Sequence, residues 1–255
     1  MLIIISPSKT QSVPEQVASN YSQPALLKQT RLLIEILKSF DQQEIGKLMK
    51  ISPKLAALTC ERLHNFVLPH SPDSAGTALT TFQGDVFSEI DTGSYSGSDF
   101  AFAQKHLRIL SGLYGMLRPA DLIQPYRLEM GTKLANDRGK TLYDFWGERI
   151  TEQINNDLAH LQEKTIINCA SLEYSRSIQR KNLAGSMLTI TFKQKKQGTL
   201  KTFAIYSKRA RGMFVDYIIK KRITAADQLY AFNRNGYRYA ADLSDDAEIV
   251  FTVDL

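Results

Sequence analysis

The stretch "LIIISPSKT", residues 2 to 10, decides how the chain begins to fold. Its short apolar run predicts a strand at residues 2–5 that is buried on both faces of a sheet. A lysine among hydroxyls follows at once, because the next residues include Ser6, Ser8, Lys9 and Thr10. Ligands of open α/β sheets bind beyond the carboxyl ends of strands. We therefore expect Lys9 to face a bound anionic group.

Two more predicted strands end in similar chemistry. A strand at 165–169 leads into Ser171, Glu173 and Tyr174, and a strand at 200–206 leads into Ser207, Lys208, Arg209 and Arg211. If the three strands run the same way, their ends converge on one rim with the cations Lys9, Lys208 and Arg209, the hydroxyls of Ser6 and Ser171, and the acid Glu173. The alternative is that each strand simply ends in polar residues where it reaches water.

Length and composition are those of an ordinary globular protein. The chain has 255 residues, of which 43% are hydrophobic and 23% charged, and this suffices for a full core. No apolar run approaches the roughly 20 residues that span a bilayer, so we expect no membrane association. Cys60 and Cys169 lie far apart, which predicts free thiols in a reducing cytoplasm. The Cys and His residues lack the spacing of metal ligands, and we expect no metal and no cofactor.

The charge is uneven along the chain. The net charge is +6, but between Arg176 and Arg222 thirteen basic residues accompany a single acid, Asp216. A basic segment beside an acidic remainder predicts a positive face that attracts phosphates. A solvated surface that keeps the protein in solution is an equally good interpretation.

Hydrophobic periodicity predicts a mixture of helices and strands. Helices are predicted at 25–39, 53–66, 74–81, about 98–110, 141–160 and 208–222, and strands at 186–192 and 199–206 form a hairpin with a lysine-rich tip. With no repeat and no linker, we expect one compact α/β domain (mixed α+β) over 1–255, with a mixed sheet and flanking helices.

The block "HLRILSGLYGMLRPADLIQPYRLEMGTKL", residues 106–134, carries two further signals. Gly112 and Gly115 fit a tight turn between two helices, an arrangement that can present backbone N–H groups to a DNA phosphate. An ordinary helical corner is the alternative. Arg127 could hold a phosphate or carboxylate through two hydrogen bonds, or form a structural ion pair with Glu129.

Motifs along nearly the whole chain resemble one family. "MLIIISPSKT", "GDVF", "LSGLYGMLRPADLIQPYRLEMGTKL", "LYDFWG", "INCASLEYS" and "YSKRARGMFVDYII" together resemble the YaaA family of bacterial peroxide-stress-resistance proteins. The resemblance implies a cytoplasmic mixed α/β protein that limits free iron, and hence oxidative DNA damage, under hydrogen peroxide stress. It also implies DNA binding through a positive cleft and a helix-hairpin-helix element at about 104–123.

The resemblance also implies particular contacts with DNA. Ser111, Gly112, Gly115 and Arg118 would lie nearest the DNA in the helix-hairpin-helix element. The cleft would be formed by Lys9, Arg127, Lys208, Arg209 and Arg211. Gln83 stands where members commonly have lysine, so this chain would have one phosphate contact fewer if that position touches DNA.

Two functions remain open from the sequence. The first is binding of DNA by shape or structure, because no base-reading motif is present. The second is an enzyme that acts on a nucleotide or another phosphorylated small molecule, with Lys9, Glu129 and Glu173 as candidate catalytic residues, since a DNA-binding groove has little use for acids. A third interpretation gives Glu129 and Glu173 only the task of pairing with the cations. The oligomeric state stays open.

Overall fold

The computed structural model describes residues 1–14 and 20–254. Within them the strands are β1 (Leu2–Ile5), β2 (Gly76–Thr77), β3 (Leu107–Ser111), β4 (Gly115–Leu117), β5 (Leu122–Ile123), β6 (Thr165–Asn168), β7 (Ser186–Lys196), β8 (Thr199–Lys201), β9 (Arg238–Tyr239) and β10 (Glu248–Asp254). The helices are α1 (Leu27–Lys38), α2 (Gln42–Met49), α3 (Pro53–His64), α4 (Ala78–Thr81), α5 (Gly97–His106), α6 (Leu142–Trp146), α7 (Arg149–Ala159), α8 (Leu172–Ser175) and α9 (Ala204–Lys221).

The main sheet is mixed, as predicted. Its strand order is β4-β3-β1-β6-β7-β10-β9, and β8 pairs with β7 off this path. The five central strands from β3 to β10 are parallel, while β4, β9 and β8 pair in antiparallel fashion. The predictions of a mixed α/β fold and of a buried first strand are therefore confirmed, since all four residues of β1 are fully buried.

The order of the strands places a crevice between β1 and β6. From β1 the chain crosses to β3 on one side, whereas from β6 it continues to β7 and β10 on the other side. The connections thus leave in opposite directions, and a crevice forms beyond the carboxyl ends of β1 and β6. This is where open α/β sheets bind their ligands.

The helix-hairpin-helix predicted at 104–123 is wrong. Helix α5 ends at His106, and the following residues form the antiparallel pair β3–β4, in which Ser111 lies opposite Gly115. The run "LRIL" is too short for its period to separate helix from strand. Pairing with β1 decides the outcome, because Leu107 and Ile109 lie in register with Ile3 and Ile5.

Two other element predictions need correction. The predicted strand 199–206 ends at Lys201, and α9 begins at Ala204, so Ser207, Lys208, Arg209 and Arg211 belong to a helix. The predicted helix 141–160 is two helices, separated at Gly147, whose φ of +52° favours glycine.

A short helix was missed by periodicity. Asp41 and Glu44 form a reciprocal capping box at the start of α2, in which each side chain accepts a hydrogen bond from the other residue's backbone N–H. Lys50 adopts the left-handed conformation at the end of α2, and Ser52 caps α3 ahead of Pro53. Helices α2 and α3 therefore form a tight helical hairpin.

Candidate functional site

A cavity of about 580 Å³ opens at the crevice beyond β1 and β6. We call it the inner cavity. It is lined by residues 6–11, 84–87 and 126–129 and by Cys169, Ser171, Glu173, Tyr174, Lys208 and Arg211. The strand ends expected to converge do so for β1 and β6, while α9 supplies the cations that were expected from a third strand.

A second concavity of about 670 Å³ adjoins the first. We call it the outer groove. It is lined by residues 47–51 and 131–133 and by Lys9, Arg127, Glu129 and Glu173. The last four residues line both concavities, which therefore meet at this junction. Lys47, Lys50 and Lys133 add three exposed cations to the outer groove.

Hydrogen bonds across the crevice hold the two strand ends together. The Ser171 N–H donates to Ser6 Oγ at 2.8 Å, and Ser6 Oγ donates to Ser171 Oγ at 3.2 Å. The main-chain amide that opens α8 is thus satisfied by a residue distant in sequence. Ser6 directly follows buried β1, and Ser171 lies three residues after the end of β6, so the sheet positions both residues.

Two hydrogen bonds and a close backbone approach fix the segment that carries Arg127 and Glu129. The Tyr126 N–H donates to Gln11 Oε1 at 2.8 Å, and the Tyr126 hydroxyl shares a 2.7 Å hydrogen bond with Ser111 Oγ. A Cβ on Gly112 would lie 2.2 Å from the Leu128 carbonyl oxygen, so only glycine allows this approach. Burial raises the pKa of Tyr126, which therefore remains a neutral hydrogen-bonding wall.

The loop 84–87 lines the inner cavity beside the segment after β1. Gly84 has a φ of +101°, and a Cβ there would lie 2.8 Å from Ser8 Oγ. This glycine therefore lets the loop approach the segment after β1. Asp85 Oδ2 lies 3.7 Å from Lys208 Nζ, with both side chains substantially exposed, whereas Phe87 in the same loop is buried.

The two glutamates of the junction already have partners. Glu129 Oε1 lies 2.8 Å from Lys9 Nζ, an ion pair in which Lys9 is 62% exposed. Glu173 Oε1 accepts a hydrogen bond from the Gly131 N–H at 2.8 Å. Glu129 therefore pairs with a cation, as the third interpretation above expects. Glu173 instead stabilises a main-chain turn.

Arg211 is a partly buried cation of the inner cavity. Its Nε is buried and has no hydrogen-bond partner in the described part of the chain. Burial lowers its pKa, while the neighbouring Cys169 acts in the opposite direction. A guanidinium that is partly buried, with a buried Nε that lacks an acceptor, is costly, so the site is suited to an anionic ligand.

Other predicted contacts lie away from the two concavities. Arg209 Nε pairs with Glu89 at 3.0 Å, and neither lines the inner cavity or the outer groove. Arg118 pairs with buried Asp157 at 3.0 Å. Ser111, Gly112 and Gly115 are part of the β3–β4 hairpin: Ser111 is fully buried, and a Cβ on Gly115 would lie 2.7 Å from the Trp146 ring. Ser111 and Gly112 therefore position the segment 126–128 described above, and Gly115 serves core packing.

Several lining residues were not anticipated. Lys47 and Lys50 follow from α2, which the capping box "DQQE" at 41–44 would have predicted. Asp85, Lys133 and Cys169 carry no local signal, because only the tertiary fold brings them to the site. No three or more His, Cys, Asp or Glu residues cluster as metal ligands within residues 1–14 and 20–254. In the same ranges, no helix combines the length and apolar character that crossing a bilayer requires.

The thiol of Cys169 is expected to be unreactive in the native protein. Burial raises the pKa of this thiol to about 12, and the opposite effect of nearby Arg211 is smaller. The thiolate needed for alkylation is therefore scarce at pH 8. A Cys60→Ser variant should therefore react with a thiol reagent only after unfolding. Wild-type protein provides the comparison, because Cys60 is only partly buried. Rapid labelling of native Cys60→Ser protein would contradict the assignment.

Comparison with known proteins identifies the family. A family model described as peroxide stress protein YaaA matches residues 1–243. The chain is 50% identical over 251 residues to a UPF0246 protein of Acaryochloris marina, covering 98% of this chain and 99% of that one. It is 44% identical over 253 residues to a UPF0246 protein of Colwellia psychrerythraea, covering 99% of this chain and 98% of that one. A UPF0246 protein of Saccharophagus degradans is 45% identical over 253 residues, with 99% of each chain covered. The chain therefore belongs to the peroxide stress protein YaaA family, as its motifs predicted.

Proposed function

We propose that this protein of the peroxide stress response binds DNA in the cytoplasm, limiting free iron and oxidative DNA damage. Membership of the peroxide stress family supports the cellular role. The observation that carries DNA binding is the continuous basic surface formed by the outer groove and the junction. Its cations are Lys9, Lys47, Lys50, Arg127 and Lys133, against the acids Glu129 and Glu173.

The shape of this surface favours an extended polyanion. Two adjoining concavities that share four lining residues present more surface than a single pocket for one small molecule. The helical hairpin α2–α3 carries Lys47 and Lys50 on the wall of the outer groove. Lysines of this kind contact phosphates without reading bases, so the preference should be for DNA shape or structure.

Salt dependence tests the proposal directly. Binding through about four to six phosphates should give a slope of log K against log salt of about −4 to −5 for duplex DNA. Fluorescence anisotropy of a labelled duplex at several salt concentrations measures it. Affinity that is insensitive to salt would count against phosphate binding.

Removing the groove lysines should weaken binding selectively. The variant Lys47→Gln/Lys50→Gln/Lys133→Gln should lower duplex affinity by about tenfold or more in about 0.1 M salt, and should reduce the salt slope by about 2–3. A matched control is Lys105→Gln/Lys164→Gln/Lys181→Gln. These exposed lysines precede β3, β6 and β7. They therefore lie at the amino ends of the parallel strands, whereas the inner cavity lies beyond the carboxyl ends. Equal losses of duplex affinity in the two variants would mean that net charge alone explains the effect.

The iron component has its own test. Free iron can be measured by electron paramagnetic resonance in cells with and without the protein during peroxide exposure. We expect more free iron in cells that lack it, and the groove variant should show whether DNA binding is needed for this effect. Unchanged iron in the absence of the protein would remove this part of the proposal.

A further inference from the structure

The inner cavity contains a positive charge that the protein does not neutralise. Arg211 takes part in none of the ion pairs formed by the described residues. Its buried Nε donates to no acceptor in the same part of the chain. The adjacent Cys169 thiol remains protonated at neutral pH and supplies no negative charge. Lys208, one helical turn earlier on α9, lines the same cavity. An anionic group of a ligand would satisfy these cations.

The same cavity also contains acceptors that a bare phosphate could not use. Asp85 and Glu173 line it, and carboxylates repel phosphate oxygens but accept hydrogen bonds from N–H and O–H groups. Within the described residues, the Glu173 carboxylate uses only Oε1, for the Gly131 N–H, and the Asp85 carboxylate has only its loose ion pair with Lys208. The matching ligand therefore has an anionic group and, apart from it, hydrogen-bond donors.

Aromatic walls and size point to a nucleotide. Phe87, Tyr126 and Tyr174 line the cavity, and although each is largely buried, together they give it an aromatic, apolar wall against which a base can pack. The volume of about 580 Å³ lies within the roughly 300–1,000 Å³ of small-molecule sites. The hydroxyls of Ser6 and Ser171 add short polar groups at the strand ends, where α/β sheets bind such ligands.

We propose that the inner cavity binds one nucleotide unit, with its phosphate at Arg211 and Lys208 and its donor groups at Glu173 and Asp85. The unit has two sources with the same chemistry. One is an unpaired nucleotide of a DNA strand that lies in the outer groove, which rests on the proposed function. The other is a free nucleotide. The junction residues Lys9 and Arg127 line both concavities, so a strand in the outer groove lies next to the inner cavity.

A ligand series on the wild-type protein tests the cavity alone. Isothermal titration would compare the four deoxynucleoside monophosphates with the matched nucleosides and with inorganic phosphate. At least one monophosphate should bind about tenfold or more tightly than its nucleoside and than phosphate. Phosphate that binds as tightly as every monophosphate would overturn the proposal, because the cavity would then be a simple anion site.

A fluorescent base distinguishes the two sources. A duplex with one unpaired 2-aminopurine should change its fluorescence on binding, and the same duplex with the base paired should change less. An excess of the preferred monophosphate should reverse the change while anisotropy still shows the duplex bound. If the monophosphate binds and no DNA does, the proposed function fails and the cavity holds a free nucleotide. If DNA binds without any monophosphate binding or 2-aminopurine response, the cavity proposal fails alone.

Two neighbouring arginines of α9 provide matched variants. Arg211→Gln should lower monophosphate affinity about tenfold or more, whereas Arg209→Gln should leave it within about twofold, because Arg209 pairs with Glu89 outside the cavity. Circular dichroism would confirm that both variants are folded. If Arg211→Gln does not fold, the ligand series on wild-type protein still decides the proposal. Equal affinities in the two folded variants would refute the role of Arg211.

Discussion

Replacing Asp157 by alanine should lower the free energy of unfolding by about 3–5 kcal/mol, the usual effect of breaking a buried ion pair. Asp157 accepts from Arg108 Nε at 2.6 Å and from Arg118 at 3.0 Å. The Arg108 side chain is only 4% exposed, so it would be left buried without its counter-ion. Arg118 is 42% exposed and can turn to water. Urea denaturation followed by circular dichroism measures the change.

Two variants give this prediction a clear contrast. Glu89→Ala breaks the surface pair with Arg209, in which the arginine is 56% exposed, and should cost only about 0–1 kcal/mol. Adding Arg108→Met to Asp157→Ala removes the unpaired charge and should recover most of the loss. If Asp157→Ala costs no more than Glu89→Ala, then Arg108 does not depend on this carboxylate.

Reversing the charge of Arg127 should have the largest effect on DNA binding. Arg127 lines both the inner cavity and the outer groove, and it forms no ion pair within the described residues. Arg127→Glu removes one phosphate contact and introduces repulsion at the junction. We expect duplex affinity to fall about 10- to 100-fold in about 0.1 M salt, measured by anisotropy.

The control for Arg127 must change net charge equally. Lys164→Glu changes the net charge by the same amount at the amino end of β6, away from the inner cavity. It should lower duplex affinity by less than about threefold. The neutral variant Arg127→Gln should fall between wild type and Arg127→Glu, with a salt slope smaller by about one. Similar losses for Arg127→Glu and Lys164→Glu would place the DNA elsewhere on the surface.

Local sequence signals predicted those elements whose residues are compatible with only one type of secondary structure. The apolar run 2–5 is a buried strand, as expected. Ser52 and Pro53 predicted the start of α3, which begins at Pro53. The segment "LRIL" has no such signal, and the prediction of helix there is wrong because a short apolar run fits either period. Only its register beside β1 makes it a strand.

The candidate site divides in the same way. Ser6 directly follows β1, and Lys9 and Ser171 lie within four residues of the ends of β1 and β6, so the predicted strand ends were enough to group them. Lys208 and Arg211 reach the inner cavity from α9, although the prediction placed them after a strand. Arg209 lies two residues before Arg211 and pairs with Glu89 instead. The two arginines have different surroundings because their side chains point in different directions around the axis of α9. Amino-acid composition does not predict that direction.

The sequence by itself determined the family, the mixed α/β class and the chemistry at the ends of β1 and β6. These depend on apolar runs and on residues adjacent to them in the chain. Tertiary structure alone decided that the segments around residues 9, 50, 127, 173 and 211 share two joined concavities. It also decided that Arg211 has no protein counter-ion in the described residues. Both facts depend on contacts between segments distant in sequence, which sheet pairing and core packing fix and local propensity does not encode.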